Sequence, residues 1–464
     1  MAHRKTPTRI VCCALAAWTA CAAAQGRPSQ HAPGKSTSTS DLETKLTPYQ
    51  WQAQQRTAFE QSEKVYAQAL KRNGLLAQYK AMRDAYQADR NAAFRIVFGQ
   101  YLSWYQTFIG DYPGALDSYS IAQVPTRDDS RSPLEGGYTA KPALDVIARL
   151  AHGHKAIFLN EAHNVPLTRT VTLQLLGKLR ADGYDWFAAE TLYSADKGLQ
   201  KRGYPTAKSG FYTNEPILAE MVRSAIKLGF KVVAYESSDE VAGDKREFQQ
   251  AQNLFERVFK QDPKARLVVD AGYAHIQESG RFLGGKSMAE HFRSISGIDP
   301  LTIEQTMMIA HPKTAQDHPI YRAVIDALHP DGPVVFVDKD GAPWSLKAKA
   351  YDATVFFPHQ MLRDNRPTWA TLGGLRVPYL VGNELCANHY PCLIEARYAG
   401  EGDDAIPADR VVLDRIDKIS VESSSDLYLR PGRYRLTATD IDNQVFTRRN
   451  IDVGTQPASA GKAQ

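Results

Sequence analysis

The chain has 464 residues, enough for two or three domains with full cores, and its 43% hydrophobic and 23% charged residues are those of an ordinary globular protein. The formal charge of +5 would fall by three, to +2, if a leader carrying Arg4, Lys5 and Arg9 were removed, because residues 1–24 hold no acid. That balance, with no basic stripe interleaved with aromatics, argues against nucleic acid as a partner.

The N-terminus reads as a secretory signal: a basic start at Arg4, Lys5 and Arg9, an apolar run Ile10–Ala24, and small residues Ala22-Ala23-Ala24 at its end. An apolar run of about 15 residues is short of the ~20 that span a bilayer, so no membrane span is expected. Trp18 stands where a lipoprotein signal wants a leucine-like residue, which argues against lipidation at Cys21. The expected location is therefore periplasmic or secreted. Residues 25–41, rich in Ser, Thr, Pro and Gly, read as a disordered linker.

From residue 42 to 131 the pattern is helical, with amphipathic stretches over Pro48–Arg72 and Leu75–Phe98. Gly110-Asp111-Tyr112, followed by Ala115, Tyr119 and Ala122, resembles half of a tetratricopeptide repeat. One such hairpin either packs on the main domain or receives a protein partner.

Residues 138–382 alternate strand-like and helical runs, which predicts βαβ units and a mainly parallel sheet flanked by helices. The expected strands are Ala156–Asn160, Asp185–Ala189, Lys231–Tyr235, Ala265–Ala271, Leu301–Thr306, Pro333–Asp338 and Thr354–Phe357. The expected helices are Leu167–Asp182, Glu215–Leu228, Lys245–Lys260 and Ser287–Ser296. The first four strands run into Glu161 with His163, Glu190, Glu236, and His275. A parallel sheet lines up the carboxyl ends of its strands, and open α/β sheets bind ligands outside that edge. Four strands delivering acid/base groups to one edge point to an active site.

Each candidate has its chemistry. Glu161 two residues before His163 can fix the imidazole tautomer so that the ring takes a proton from water. Glu190 ends a strand buried on both faces, where a carboxylate is costly unless it is paired with an arginine such as Arg169 or Arg180 or opens into a cleft. Arg246 and Asn253, seven apart, share a helix face; Arg246 can clamp a carboxylate or a developing oxyanion. Gly272 before Tyr273 and His275 permits a close backbone approach. Arg169, Tyr193, Asn253 and Tyr273 are the expected substrate contacts. No Gly-x-Ser-x-Gly elbow, Walker loop or His-Glu-x-x-His helix is present.

The runs Phe158-Leu-Asn-Glu-Ala-His-Asn, Phe187-Ala-Ala-Glu190 and Gly272-Tyr-Ala-His275-Ile resemble the superfamily that includes erythromycin esterases, the ChaN haem-uptake proteins and the Tiki proteases. The resemblance covers about residues 140–360. It implies an α/β fold with a Glu/His site at one end of the sheet, His163 as general base, Glu161 or Glu190 orienting it, and His275 assisting the oxyanion or leaving group. Asn160 stands where that group has glycine, and the Glu-x-His spacing is closer to the ChaN and Tiki branches. The resemblance thus implies a hydrolase acting on a small-molecule or peptide substrate. Haem held by Tyr193, Tyr204, Tyr212 or Tyr273 is the alternative in the uptake branch. A divalent metal on His163, Glu190 and His275 is the alternative in the protease branch. A surface interaction protein with a decayed site is a further reading.

The tail, residues 395–455, alternates as short strands, Lys418–Val421, Asp426–Leu429, Tyr434–Thr439 and Val445–Val453, and reads as a small β-sandwich. Outside the leader the chain keeps only Cys386 and Cys392. In an exported protein they are expected to form a disulfide, with a metal site including His389 as the alternative.

Overall fold

The computed structural model describes residues 48–119, 131–237, 241–414 and 424–454. The expected leader and linker, and the expected strand Lys418–Val421, lie outside them.

The N-terminal part is helical over Pro48–Ala69, Leu75–Ala88, Ala92–Phe108 and Tyr112–Ser118. The single helix expected over Leu75–Phe98 is two. Asn91 caps the second by accepting from the Phe94 N–H, while Asp89 accepts from the Asn91 N–H, so side chains satisfy the backbone groups a break exposes. The turn at Gly110 has φ +83°, and a Cβ there would lie 2.2 Å from the Arg410 carbonyl oxygen. The helix that follows is only 7 residues long, so the repeat-like hairpin is a truncated one. Its partner, Ala92–Phe108, is buried almost throughout and sets Trp104 and Phe108 edge-on to Phe211, at 5.7 and 5.3 Å.

Eight strands form the main sheet: β1 Thr139–Pro142, β2 Ala156–Glu161, β3 Trp186–Ala189, β4 Lys231–Val233, β5 Leu267–Gly272, β6 Leu301–Met308, β7 Val334–Val337 and β8 Ala353–Phe356. Their order is β1-β7-β8-β6-β2-β5-β3-β4. Every strand but β7 points the same way, since β7 pairs antiparallel with both β1 and β8. Both faces are covered. On β2, Ile157 and Leu159 enter one core with helices Arg169–Ala181 and Pro216–Lys227, while Phe158 enters a second with helices Asp244–Leu254 and Met288–Ser296. This two-sided burial is why the strands read as continuous apolar runs.

The adjacent strands β2 and β5 therefore lead to helices on opposite faces. The point where connections leave adjacent strands toward opposite faces is the usual ligand position in a doubly wound sheet.

The C-terminal part adds a hairpin, β9 Leu362–Arg363 and β10 Arg366–Pro367, and then antiparallel strands. These are β11 Val377–Gly382, β12 Cys392–Tyr398, β13 Asp409–Leu413, β14 Ser424–Leu429, β15 Gly432–Thr439 and β16 Val445–Val453. A four-stranded sheet, β13-β12-β15-β16, and the pair β11-β14 share one core. The segment Val377–Gly382 thus joins the tail rather than the parallel sheet. Cys386 and Cys392 form the expected disulfide, and both are buried. Arg366 forks both oxygens of Asp409 at 2.7 Å and donates to the Gly110 carbonyl at 2.6 Å, tying hairpin, β13 and helical part together. Among the described residues no helix is long and apolar enough to cross a membrane.

At the amino ends of β6 and β8, the Thr302 hydroxyl donates to Glu278 at 2.6 Å and the Thr302 N–H donates to Asp352 at 2.8 Å. Burial pushes Glu278 up to about 7; the Thr302 hydroxyl opposes the rise, and Asp352 and Asp299 add to it. A carboxyl raised above its unfolded value of about 4.3 contributes stability below that pH and loses it as pH rises through about 7. The melting temperature of Glu278→Gln relative to wild type should therefore be more favourable at pH 8 than at pH 5. Equal differences at the two pH values would remove Glu278 as the cause.

Candidate active site

Glu161 is the last residue of β2, and the turn after it returns His163 onto the sheet edge. The Glu161 carboxylate sits 2.6 Å from His163 Nδ1. Arg169, at the start of the next helix, lies 3.0 Å from the other Glu161 oxygen. Burial would raise the Glu161 pKa, but Arg169 and His163 outweigh it and hold the carboxyl below its usual range. An ionised Glu161 accepts, so Nδ1 carries the hydrogen and Nε2 is the atom that can take a proton.

The ring is clamped on three sides. Tyr212 stacks on it at 4.0 Å between centroids, and Tyr273 meets it edge-on at 5.2 Å. Gly272, ending β5, closes the third side: a Cβ there would fall 2.5 Å from His163 Cε1, 2.6 Å from Nε2 and 3.0 Å from Glu190 Oε2. The glycine serves close approach, since its φ of −71° suits any residue. Tyr273 itself adopts φ +47°, a strained conformation for a tyrosine. Its carbonyl accepts from Asn160 at 2.8 Å, and Asn160 also accepts from the Gln305 N–H at 2.6 Å. Asn160 is thus a tie between β2, β6 and the Tyr273 turn.

A second dyad faces the first. His275 Nδ1 lies 2.7 Å from Glu247, and its Nε2 lies 3.2 Å from Arg246 Nη1 and 3.5 Å from Glu190. Burial opposes charge on His275, but Glu247 and Glu190 together hold its pKa above the ordinary histidine value.

Glu190 stands between the dyads. It accepts from the Gly272 N–H at 2.7 Å and from Arg246 at 2.7 Å. Burial is overcome there by His275, Arg246 and His163, which keep the carboxyl far below its usual range. Arg246 also donates to Glu236, at 2.6 and 3.1 Å, and Gln250 donates to Glu236 at 3.0 Å. Glu161, His163, Glu190, Glu236, Arg246 and His275 thus form one contiguous cluster. The side chains of His163, Glu190 and His275 are 7%, 10% and 8% exposed, so the cluster is nearly closed.

The expected substrate contacts fare differently. Arg169 is fully buried between Glu161 and Glu215, which makes it an internal counter-ion rather than a substrate contact. Nor is it the partner of Glu190, a role that falls to Arg246; Arg180 instead donates to the Leu228 and Tyr184 carbonyls. Asn253 donates to the Tyr235 and Glu236 carbonyls at 2.9 and 3.1 Å and so pins the end of the β4 segment. Tyr193 packs at the margin of the core and donates its N–H to the Ser209 carbonyl. Of the four, Tyr273 is the one whose ring packs against a histidine of the cluster.

Three members escaped the sequence reading, and a fourth, Tyr212, was expected only as a haem ligand. Glu247 orients His275; it is the immediate neighbour of Arg246, and both point inward from the first turn of one helix. Glu215 anchors Arg169, and its place before Pro216 was a legible helix cap. Tyr212 stacks on the base. Asp270, on β5, is buried, and burial and then Glu161 push its carboxyl well above the usual carboxylate range.

The residues fit neither a metal nor a phenolate-bound haem. Among the described residues no group of three or more His, Cys, Asp or Glu side chains could hold a metal ion. The reason is chemical: the Arg246 guanidinium lies among Glu190, Glu236 and His275 Nε2, where a cation would sit. The loop tyrosines diverge, with Tyr204 accepting from the Gly402 N–H while Tyr212 lies on His163. Burial first, then Glu190 for Tyr212 and Tyr119 for Tyr273, raises both phenols well above their usual pKa.

Fold and cluster together define a doubly wound α/β protein with two glutamate–histidine dyads at the carboxyl edge of its sheet. No family model matches the chain, and no curated protein matches it. Among solved structures it is similar to the type III effector HopBA1, at 14% identity over 39% of this chain and 94% of that one, with a TM-score of 0.27. It is also similar to a structure described as bacterial protein toxins, at 16% identity over 48% of this chain and 52% of that one, with a TM-score of 0.26. A third is RRSP, a MARTX toxin effector domain from Vibrio vulnificus, at 13% identity over 49% and 51%, with a TM-score of 0.26. At these TM-scores the likeness assigns no activity.

Proposed function

We propose that the protein is an exported hydrolase that cleaves an ester, or an amide, with water activated at His163. The observation that carries the reading is the pair of dyads converging on Glu190: a base held in one tautomer by Glu161, opposite an imidazole whose pKa Glu247 and Glu190 hold up. His163 Nε2 takes a proton from water, and the resulting hydroxide adds to the substrate carbonyl carbon. His275 and Arg246 face the negative charge that gathers on the carbonyl oxygen. When the carbon–oxygen or carbon–nitrogen bond breaks, the leaving group takes a proton from an imidazolium, leaving an acid and an alcohol or amine. The resemblance of the Glu161–His163, Glu190 and His275 motifs to the erythromycin esterase, ChaN and Tiki superfamily supports hydrolysis. Export is supported by the basic and apolar N-terminal sequence and by the Cys386–Cys392 disulfide.

The test is a panel of ester and amide substrates with metal content measured on the same preparation. On whichever substrate turns over, His163→Ala should lose about 10²–10⁴-fold in kcat/KM, the usual worth of a general base. An unchanged rate in that variant overturns the mechanism.

A further inference from the structure

We infer that Tyr112 and Glu215 are positioning residues for His163, acting through Arg169 and Glu161, so that the N-terminal helical part completes the site on the sheet; this rests on the hydrolase reading for its catalytic meaning. The links are continuous. The Tyr112 hydroxyl donates to Glu215 Oε1 at 3.0 Å, Glu215 Oε2 accepts from Arg169 Nη1 at 2.9 Å, Arg169 Nη2 lies 3.0 Å from Glu161 Oε2, and Glu161 Oε1 meets His163 Nδ1 at 2.6 Å. Arg169 Nη2 also donates to the His163 carbonyl at 3.2 Å, so one guanidinium fixes both the backbone and the partner of the base.

A fully buried arginine holds its place only through its partners, and Glu215 is an unusually rigid one. Its two oxygens also accept from the Ile217 and Leu218 N–H groups at 2.8 Å, at the start of helix Pro216–Lys227. With Tyr112 and Arg169 it accepts four hydrogen bonds, which leaves the carboxylate no second orientation. Tyr112 is held in turn by the Gly110 turn, by the Arg366 guanidinium over its ring at 5.1 Å and by Trp369 at 5.0 Å. The hydroxyl belongs to a residue more than forty positions upstream of the base, on a different structural layer. Its removal leaves every other contact of the cluster in place.

The probe is the imidazole nitrogen spectrum of the full chain labelled with ¹⁵N-histidine, with His163 assigned by its loss in His163→Gln. Wild type should show the hydrogen on Nδ1. Tyr112→Phe, which deletes one oxygen, should yield a mixture of tautomers at His163, and Glu215→Gln should do so more strongly. With 4-nitrophenyl acetate as substrate, kcat should fall on the order of tenfold with KM unchanged, less than the roughly 10²-fold that a 1 Å misplacement costs. Unaltered His163 signals in both folded variants overturn the relay, as does a lowered melting temperature with no tautomer change. Because the nitrogen signals need no turnover, a protein that fails to hydrolyse any ester still tests the relay, and the hydrolase reading fails separately.

Discussion

Replacing Arg169 with methionine should destabilise the protein by about 3–5 kcal/mol, the range for removing one partner of a buried ion pair. Arg169 is, among the described residues, the sole guanidinium between Glu161 and Glu215, which are 4% and 0% exposed. Without it both carboxylates lie in the interior facing each other's charge. The deficit should depend on pH, and its sign follows from Glu161. Arg169 and His163 outweigh burial and depress that carboxyl in the native state. A depressed carboxyl contributes stability above its unfolded pKa of about 4.3 and loses it as pH falls through the lower folded value. Without Arg169 the native carboxyl rises instead. The variant should be weakest near pH 7 and regain ground on wild type toward pH 4. Urea unfolding at several pH values measures this. A deficit that does not vary with pH would mean that lost packing, not lost charge, dominates.

The second large effect is expected at Gly272. An alanine methyl there would fall 2.5–2.6 Å from two atoms of the His163 ring and 3.0 Å from Glu190. A flexible side chain could yield; this ring cannot, because Tyr212, Tyr273 and Glu161 hold its other sides. The backbone at 272 accepts alanine without strain, so the harm is confined to the site. Gly272→Ala should therefore cost on the order of 10²-fold or more in kcat, as a misplacement of about 1 Å does. Its far-ultraviolet spectrum should stay that of wild type. A folded variant with full activity would show that His163 need not lie against Gly272, and the base would have to be sought elsewhere.

Much of this site was legible in the linear chain, for a physical reason. Strands covered on both faces read as unbroken apolar runs, so Ala156–Asn160 and Ala265–Ala271 announced themselves, and a polar residue at the end of such a run stands out. Glu161, His163, Glu190, Glu236 and His275 emerged in that way. What the strands could not convey is which helix and loop residues fold over their ends. Arg169 was expected at substrate or as the partner of Glu190; in the fold it turns beneath Glu161. Glu247 was overlooked beside Arg246 because helix periodicity favours one of two neighbours, yet in a first turn against a sheet edge both can point inward. The break at Asp89–Asn91 was missed because a capping side chain is locally indistinguishable from a polar residue on a helix surface.

The junction between sheet layer and tail has a further implication. Glu220, buried on helix Pro216–Lys227, takes its counter-charges from Arg430 at 2.5 Å and Arg376 at 3.5 Å, and its Oε2 accepts from the Tyr398 hydroxyl at 3.1 Å. Arg223, one turn on, forks Glu401 at 2.7 Å through two nitrogens. A tail that neutralises an acid inside its neighbour is no interchangeable accessory. Grafted onto another sheet it would carry stranded cations, and cut away it would leave an orphan anion, so severing the two parts is expected to destabilise both.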